Sequence, residues 1–276
     1  MRRNRLATVG LLNCTLFAAN LSPAALLHHW AFDDGSGDTA VDSAGANNGA
    51  IVGATWATGA GDRASYLSFN GTDSRVDPAL TFPSISQADS SSWAFWVNPA
   101  SAQTNDIIVG NRKDGSNVDI GPGTRNFLKV TPFSRFDFHQ GVAKSVTLTT
   151  FPVDEWTHFA FSRSGDQLTW YINGVAENGG LPATIPGLDA VPNGAILPFY
   201  IGGEPGQNQN EHFAGGIDDV RIYDSAISAA EVRALAGVVP EPSALHLLFA
   251  VGGFLLISGW RTREQACPNA IESLRG

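Results

Sequence analysis

The stretch HFAGGIDDVRIYDSAISAAEVRAL, residues 212–235, predicts one long β-strand followed by one short α-helix. Bulky or β-branched side chains typical of a strand recur through its first half, at Phe213, Ile217, Val220, Ile222 and Tyr223. Ser228 and Glu231 then have the spacing of a helix capping box, in which each side chain satisfies a backbone N–H group of the first turn. We therefore expect the chain to close with a strand and a helix.

Two adjacent carboxylates, Asp218 and Asp219, interrupt the apolar part of this strand. Neighbouring side chains of a strand point to opposite faces, so we expect these two to face opposite ways. A carboxylate that points inward needs a partner, which can be a cation, backbone N–H groups or a metal.

The pattern G-x-I-D-D-V-R-I-Y-D-x-A-I-S-A-A-E-V at residues 215–232 resembles the closing strand and helix of bacterial LamG-like jelly rolls of the concanavalin A-like superfamily. Other segments are similar to further strands of that family, and together the resemblance covers about residues 26–236: LSFNGTD, SWAFWV, EWTHFAF, QLTWYINGV and PFYIGG. The resemblance implies a two-sheet antiparallel sandwich.

The residue pattern agrees with that fold class. More than ten short apolar segments alternate with turn signals, and the dipeptides Asn70-Gly71 and Asn173-Gly174 favour tight hairpins. We expect an all-β, two-sheet antiparallel jelly-roll sandwich with one short C-terminal helix, formed by residues 26–237.

Oxygen-bearing side chains are dense after the first strand, where Asp33, Asp34, Asp42 and Asn48 lie among glycines. Spacing alone favours turns, because these residue types populate turns for local reasons and no EF-hand pattern is present. The family resemblance instead implies a structural Ca²⁺ that joins this N-terminal loop to Asp218.

Both ends carry targeting features. Residues 1–25 combine a basic start with a short apolar run, as in a secretory signal peptide. Residues 238–263 contain the VPEPS motif, an apolar run of 17 residues and two arginines, and resemble a PEP-CTERM sorting signal; residues 264–276 form a short tail. The processing motif comprises Pro240, Glu241 and Pro242.

That second resemblance implies export across the inner membrane of a Gram-negative bacterium, transient membrane insertion, and cleavage by an exosortase. The protein would reach the cell surface or extracellular matrix, where its partner would be an extracellular polysaccharide or a matrix or surface protein. The two cysteines, Cys14 and Cys267, lie outside the predicted domain, so we expect no disulfide in it.

Charge and motif content bear on the activity. A net charge of −9 argues against nucleic acid as a partner and is compatible with cations or neutral glycans. Glycosidases of this superfamily carry paired acids along one strand as E-x-D-x-x-E, which is absent here, so we expect the chain not to be an enzyme.

The first hypothesis is therefore a non-catalytic LamG-like domain that binds carbohydrate or a matrix partner. The alternatives are a structural matrix protein without a ligand site, and a polysaccharide-active glycosidase or lyase. Loop composition offers four candidate ligand-binding residues, Asp73, Asn111, Asn117 and Asn208.

Overall fold

The computed structural model describes residues 23–60, 63–82, 90–101, 106–111, 126–131, 135–140, 143–185, 197–205 and 211–237. In chain order, its strands are β1 Leu26–Trp30, β2 Thr39–Ala40, β3 Gly49–Val52, β4 Thr55–Ala60, β5 Arg63–Asn70, β6 Arg75–Asp77, β7 Thr81–Phe82, β8 Ser90–Pro99, β9 Ile107–Asn111, β10 Asn126–Val130, β11 Phe136–Gln140, β12 Ala143–Val146, β13 Thr157–Ser164, β14 Gln167–Ile172, β15 Val175–Ala176, β16 Ala183–Thr184, β17 Leu197–Pro198, β18 Tyr200–Ile201 and β19 Ala214–Tyr223. One α-helix, α1, spans Ala229–Leu235.

Within these residues, the strands form two main antiparallel sheets. The larger has the order β15-β14-β13-β8-β19-β5-β4, with β1 added to β19 and β16 to β14. The smaller has the order β12-β11-β10-β9-β18-β6-β3-β2, and β7 pairs separately with β17. The predicted all-β, two-sheet fold with one short helix is confirmed.

The core lies between the two sheets and is rich in aromatic rings. On the larger sheet, β8 points Trp93 and Phe95 inward, opposite Phe161 and Phe159 of β13. Phe136 of the smaller sheet closes the gap, with its ring centroid 4.2 Å from that of Phe159. Burying each such ring contributes about 1.5–3 kcal/mol, so a core of this kind is stable without a disulfide.

Helix α1 covers part of the outer face of the larger sheet. Its predicted capping box is present: the Ser228 hydroxyl accepts from the Glu231 backbone N–H, and the Glu231 carboxylate accepts from the Ser228 N–H. Val232 packs with Ala94 and Ala160, which point outward from β8 and β13. The outer face beside α1 carries the polar and aromatic residues described next.

The two predicted targeting segments fall largely outside the described residues, as does the motif Pro240, Glu241 and Pro242. Among the described residues, the single α-helix is too short to cross a bilayer.

Candidate functional site

A β-bulge in β19 places Asp218 and Asp219 at the same site. Asp218 lies opposite Trp96 of β8 and Arg221 lies opposite Ala94, so Asp219 and Val220 share the position opposite Phe95. Asp219 adopts a left-handed backbone conformation with φ of 56°. The extra residue changes the alternation of side chains, and the expectation that the two carboxylates face opposite ways is wrong.

The bulge coincides with a junction between two neighbouring strands. On one edge of β19, β5 pairs with its first half, from Ala214 to Ile217, and β1 pairs with its second half from Val220 onward. A cleft of about 310 Å³ opens at this junction. Its walls carry mainly charged side chains: His29, Ala31, Asp33, Arg63, Ala64, Asp218, Asp219 and Arg221.

The Asp219 carboxylate is bonded to two neighbouring side chains, His29 and Arg221. Its Oδ1 atom is 2.7 Å from His29 Nε2, and its Oδ2 atom accepts from the Arg221 guanidinium. Burial opposes ionisation, but the His29 hydrogen bond and the Arg221 charge outweigh it and lower the pKa of Asp219. Asp219 is therefore an ionised carboxylate whose two oxygens both have partners.

Asp218 has a different environment. Its Oδ2 atom accepts a hydrogen bond of 2.9 Å from Arg63, whereas its buried Oδ1 atom has no hydrogen-bond partner among the described residues. The residue is only 3% exposed. Burial raises the pKa of Asp218 to about 6, although Arg63 opposes this rise; the negative charges of Asp219 and Asp33 add to it.

Arg63 also connects the cleft to an aromatic residue. Its guanidinium carbon lies 4.1 Å from the centroid of the Trp96 ring, within the range of a cation–π interaction. Trp96 also contacts His158, whose ring makes an edge contact with centroids 5.2 Å apart. Arg63 is thus held from two sides, by Asp218 and by Trp96.

His158 is 1% exposed, and neither ring nitrogen has a hydrogen-bond partner in the described part of the chain. Burial lowers its pKa to about 3, so the ring is neutral near pH 7. His158 is therefore a buried, neutral ring that packs against Trp96.

Two further aromatic rings lie on the same outer face. Tyr66 and Trp156 meet edge to face with centroids 5.0 Å apart, and both are half-buried. Trp156 covers Gly216, where an added Cβ would come within 2.7 Å of the indole. Gly216 precedes Asp218 by two residues, a distance of about 7 Å along a strand. The aromatic pair therefore lies beside the charged cleft.

Of the five predicted metal ligands, only Asp33 and Asp218 line the cleft. The Asp42 carboxylate accepts five hydrogen bonds, from His28 Nδ1 and from the backbone N–H groups of His29, Ala44, Gly45 and Asn47. The side-chain oxygen of Asn48 accepts from the Asp42 N–H, and that of Asp34 from the Val41 N–H. These oxygens organise the N-terminal loop.

No group of three or more His, Cys, Asp or Glu side chains in the described ranges has an arrangement that could hold a metal ion. The saturated carboxylate of Asp42 does not fit the calcium ligand role that the family resemblance gave it. Calcium binding through Asp33 and Asp218 stays a prediction.

Of the four predicted ligand-binding residues, the structure describes Asp73 and Asn111. Asp73 accepts a hydrogen bond of 2.8 Å from the Asn70 side chain and belongs to the turn between β5 and β6. Asn111 ends β9. Asn117 and Asn208 lie outside the described residues.

Sequence reasoning missed most of the cleft. His29 and Arg63 were not selected as site residues, because their partners in β19 lie 190 and 155 residues away along the chain. The aromatic pair was also missed. A signal was present in the two adjacent acids of an apolar strand, which require cationic or hydrogen-bonding partners, but no pattern indicated which residues would supply them.

A second cavity, of about 180 Å³, lies at the far edge of the larger sheet. Trp170 and Leu168 form its floor, and the strongly exposed Leu148 and Leu181 lie on its rim. Its Glu177 carboxylate accepts from the backbone N–H groups of Leu148 and Thr149 and so has partners for both oxygens.

Comparison with protein families gives a match over residues 70–233 to the concanavalin A-like lectin/glucanases superfamily. No match was found among curated proteins.

Solved structures show the same fold. Domain 4 of AbnA, a GH43 extracellular arabinanase from Geobacillus stearothermophilus in complex with arabinotriose, is 23% identical with a TM-score of 0.57, covering 78% of this chain and 99% of that one. Trypanosoma rangeli sialidase in complex with sialic acid is 16% identical with a TM-score of 0.54, covering 77% of this chain. The match spans only 32% of the sialidase.

The receptor binding domain of botulinum neurotoxin D is also similar, with 14% identity and a TM-score of 0.56, over 77% of this chain and 52% of that one.

The arabinanase and sialidase matches overturn the expectation that the chain is not an enzyme, since the fold occurs within glycosidases. The fold by itself does not show catalysis.

Replacing Asp42 by alanine should lower the free energy of unfolding by about 3 kcal/mol at pH 7, because His28 Nδ1 and four backbone N–H groups lose their buried acceptor. Hydrogen bonds from His28 and three backbone N–H groups outweigh burial and lower the pKa of Asp42 below its usual 3.8. The stability that it contributes is therefore present above about pH 4 and is lost as the pH falls further.

Urea unfolding of the wild type and Asp42→Ala across pH 2.5–7 measures both effects. The control is Asp38→Ala, since Asp38 is exposed and should change stability by no more than about 0.5 kcal/mol. Equal losses for the two variants at pH 7 would contradict the assigned role of Asp42.

Proposed function

Because the chain belongs to the concanavalin A-like lectin/glucanases superfamily, we propose that residues 26–237 recognise carbohydrate on the outer face of the larger sheet. The observation that carries this proposal is the placement of the Tyr66–Trp156 pair next to the charged cleft at the β19 bulge. The face thus offers an apolar ring and polar groups to one ligand.

This combination matches the chemistry of a sugar. A pyranose or furanose ring presents C–H groups on one side, which pack against an aromatic face, and hydroxyl groups around its edge. Those hydroxyls need precisely placed polar partners, and the cleft contains the exposed Asp33 carboxylate as an acceptor and the Arg221 guanidinium as a donor. The Trp96 face is occupied by Arg63, so Trp156 and Tyr66 are the better stacking surface.

The structural relatives support the proposal at the level of the fold. The arabinanase domain is similar over almost its full length and was solved with arabinotriose, so this architecture accommodates an oligosaccharide. At this level of identity its ligand is a guide to the ligand class and not to the specific sugar.

Export completes the proposed function. The signal-like residues 1–25 and the sorting-like residues 238–263 support delivery to the surface or matrix of a Gram-negative bacterium, with transient membrane insertion and exosortase processing. The partner there would be an extracellular polysaccharide or a matrix or surface protein.

Trp156→Ala in the full-length chain should weaken binding to an oligosaccharide selected by a glycan array by about tenfold, which corresponds to the loss of about 1.4 kcal/mol of stacking and burial. Titration calorimetry measures the affinity, and thermal melting confirms that the variant folds. The matched control is Leu148→Ala on the rim of the second cavity, which should bind normally. Normal binding by Trp156→Ala together with weakened binding by Leu148→Ala would instead place the binding site at that cavity.

Calcium is tested by melting the full-length protein with excess Ca²⁺ and with EDTA. A metal that binds only the folded state at about one hundred times its Kd adds about 2.7 kcal/mol of stability. If the family resemblance holds at Asp33 and Asp218, Ca²⁺ raises the melting temperature and Asp218→Asn abolishes the shift. An unchanged melting temperature of the wild type with Ca²⁺ and with EDTA would contradict a structural calcium site.

Processing is tested by mass spectrometry of the protein recovered from a Gram-negative host that carries an exosortase. We expect a mature N-terminus near residue 26 and loss of the segment beyond Pro242. Replacement of Glu241 by alanine should leave the C-terminal segment attached. An intact C-terminus in the wild type would contradict the sorting assignment.

A further inference from the structure

The described part of the chain contains four Asn-Gly dipeptides, which begin at Asn48, Asn70, Asn173 and Asn178. This dipeptide is chemically reactive, because the backbone nitrogen that follows the asparagine can attack the side-chain carbonyl carbon. A glycine has no side chain to hinder that attack. The four dipeptides differ in how firmly the fold holds the two reacting groups.

Side-chain hydrogen bonds hold three of the four asparagine amides. The Oδ1 atom of Asn48 accepts from the Asp42 N–H, and that of Asn173 accepts from the His158 N–H. The Oδ1 atom of Asn70 accepts from the backbone N–H groups of its own turn. Each of these amides must lose its hydrogen bonds before it can turn toward the following nitrogen.

The glycines of the same three dipeptides are also protected. Gly49 is buried in β3, where it pairs with Ala40 of β2. The Gly71 N–H donates to the Phe213 carbonyl over 3.0 Å, and Gly174 is buried. The attacking nitrogen is therefore restrained or shielded from solvent at all three positions.

Asn178-Gly179 has neither restraint. Both residues are exposed, and the Asn178 side chain makes no hydrogen bond in the part of the chain that the structure describes. They lie in a single 3₁₀ turn, Glu177–Gly180, that links β15 to β16. Apart from its chain neighbours, no described atom lies within 4 Å of the place where a Cβ on Gly179 would be. An exposed turn with so few contacts opens locally at little cost.

We propose that Asn178 is a site of spontaneous deamidation. When the turn opens, the Gly179 nitrogen gives its proton to solvent and attacks the Asn178 Cγ atom. The bond from Cγ to the side-chain nitrogen breaks, and this nitrogen takes up a proton and leaves as ammonia. Water then opens the cyclic imide at either carbonyl, which gives aspartate or isoaspartate. Water is the only co-reactant, and the inference is independent of the proposed function.

The product changes the rim of the second cavity, which Asn178 lines. It places a new carboxylate beside Glu177, whose own carboxylate accepts from the backbone N–H groups of Leu148 and Thr149. Isoaspartate also adds a methylene to the backbone of this turn, whose flanking strands β15 and β16 pair with opposite ends of β14. Formation of isoaspartate therefore loosens this edge of the larger sheet.

The test incubates the full-length protein in mildly alkaline water labelled with heavy oxygen, both folded and unfolded in urea. Peptide mapping by mass spectrometry follows the uptake of label at each asparagine. In the folded protein, Asn178 should react about tenfold faster than the other three, the protection that one hydrogen bond of ordinary strength provides. In urea the four should react at similar rates, because the fold no longer restrains them.

Asn173 is the matched control within the same molecule. It precedes a glycine and has nearly the same backbone φ as Asn178, 48° against 51°, but its amide is hydrogen-bonded. Asn178→Gln should stay unlabelled at this position and keep its melting temperature, because the longer side chain closes its ring far more slowly. Equal labelling of Asn173 and Asn178 in the folded protein, or an unlabelled Asn178 that reacts only in urea, would overturn the inference.

Hydrogen exchange tests the structural consequence. Aged protein that contains isoaspartate should exchange the backbone amides of β15 and β16 faster than Asn178→Asp, which adds the charge without the methylene. Equal exchange in the two would overturn the loosening of the sheet edge and leave the deamidation standing.

Discussion

The bulge in β19 is the constraint on which the candidate site depends. β19 is hydrogen-bonded to β8 on one edge and is shared by β5 and β1 on the other. Because two residues of β19, Asp219 and Val220, lie opposite a single residue of β8, Asp218 and Asp219 both point toward the cleft. Val220 then points back into the core. A left-handed aspartate costs about 1–2 kcal/mol, and the bonds from His29 and Arg221 to Asp219 offset that cost.

The same bulge gives two chemically identical residues different properties. Asp219 is held ionised by its two partners, whereas Asp218 is buried with one oxygen unsatisfied and has a raised pKa. Strongly perturbed pKa values cluster at functional sites and also occur in structural ion-pair networks. The arrangement is consistent with ligand recognition and with a fold that also occurs in glycosidases.

Much of the fold could be predicted from the sequence. The Asn173-Gly174 hairpin between β14 and β15, and the Ser228–Glu231 capping box, are local signals that the structure confirms. The cleft could not be predicted, because it depends on a change of register inside β19 and on contacts across the chain. Strand periodicity assumes an uninterrupted alternation, and nothing in the letters IDDV indicates an extra residue. The spacing of the N-terminal acids favoured turns, whereas the calcium role of Asp42 was implied by the family resemblance; its actual partners, His28 Nδ1 and four backbone N–H groups, agree with the turn interpretation.

The pairing of β1 with β19 joins the first described strand to the last. The cleft takes His29 and Asp33 from the N-terminal end of the domain and three residues from β19. No fragment that lacks either end contains a complete site, and such contacts between distant parts of a chain form slowly because the intervening loop must first close. Loss of β1 would remove His29 from the cleft and Trp30 from the aromatic core. The proposed ligand recognition and the packing of the core thus depend on the same pairing of the two ends of the domain.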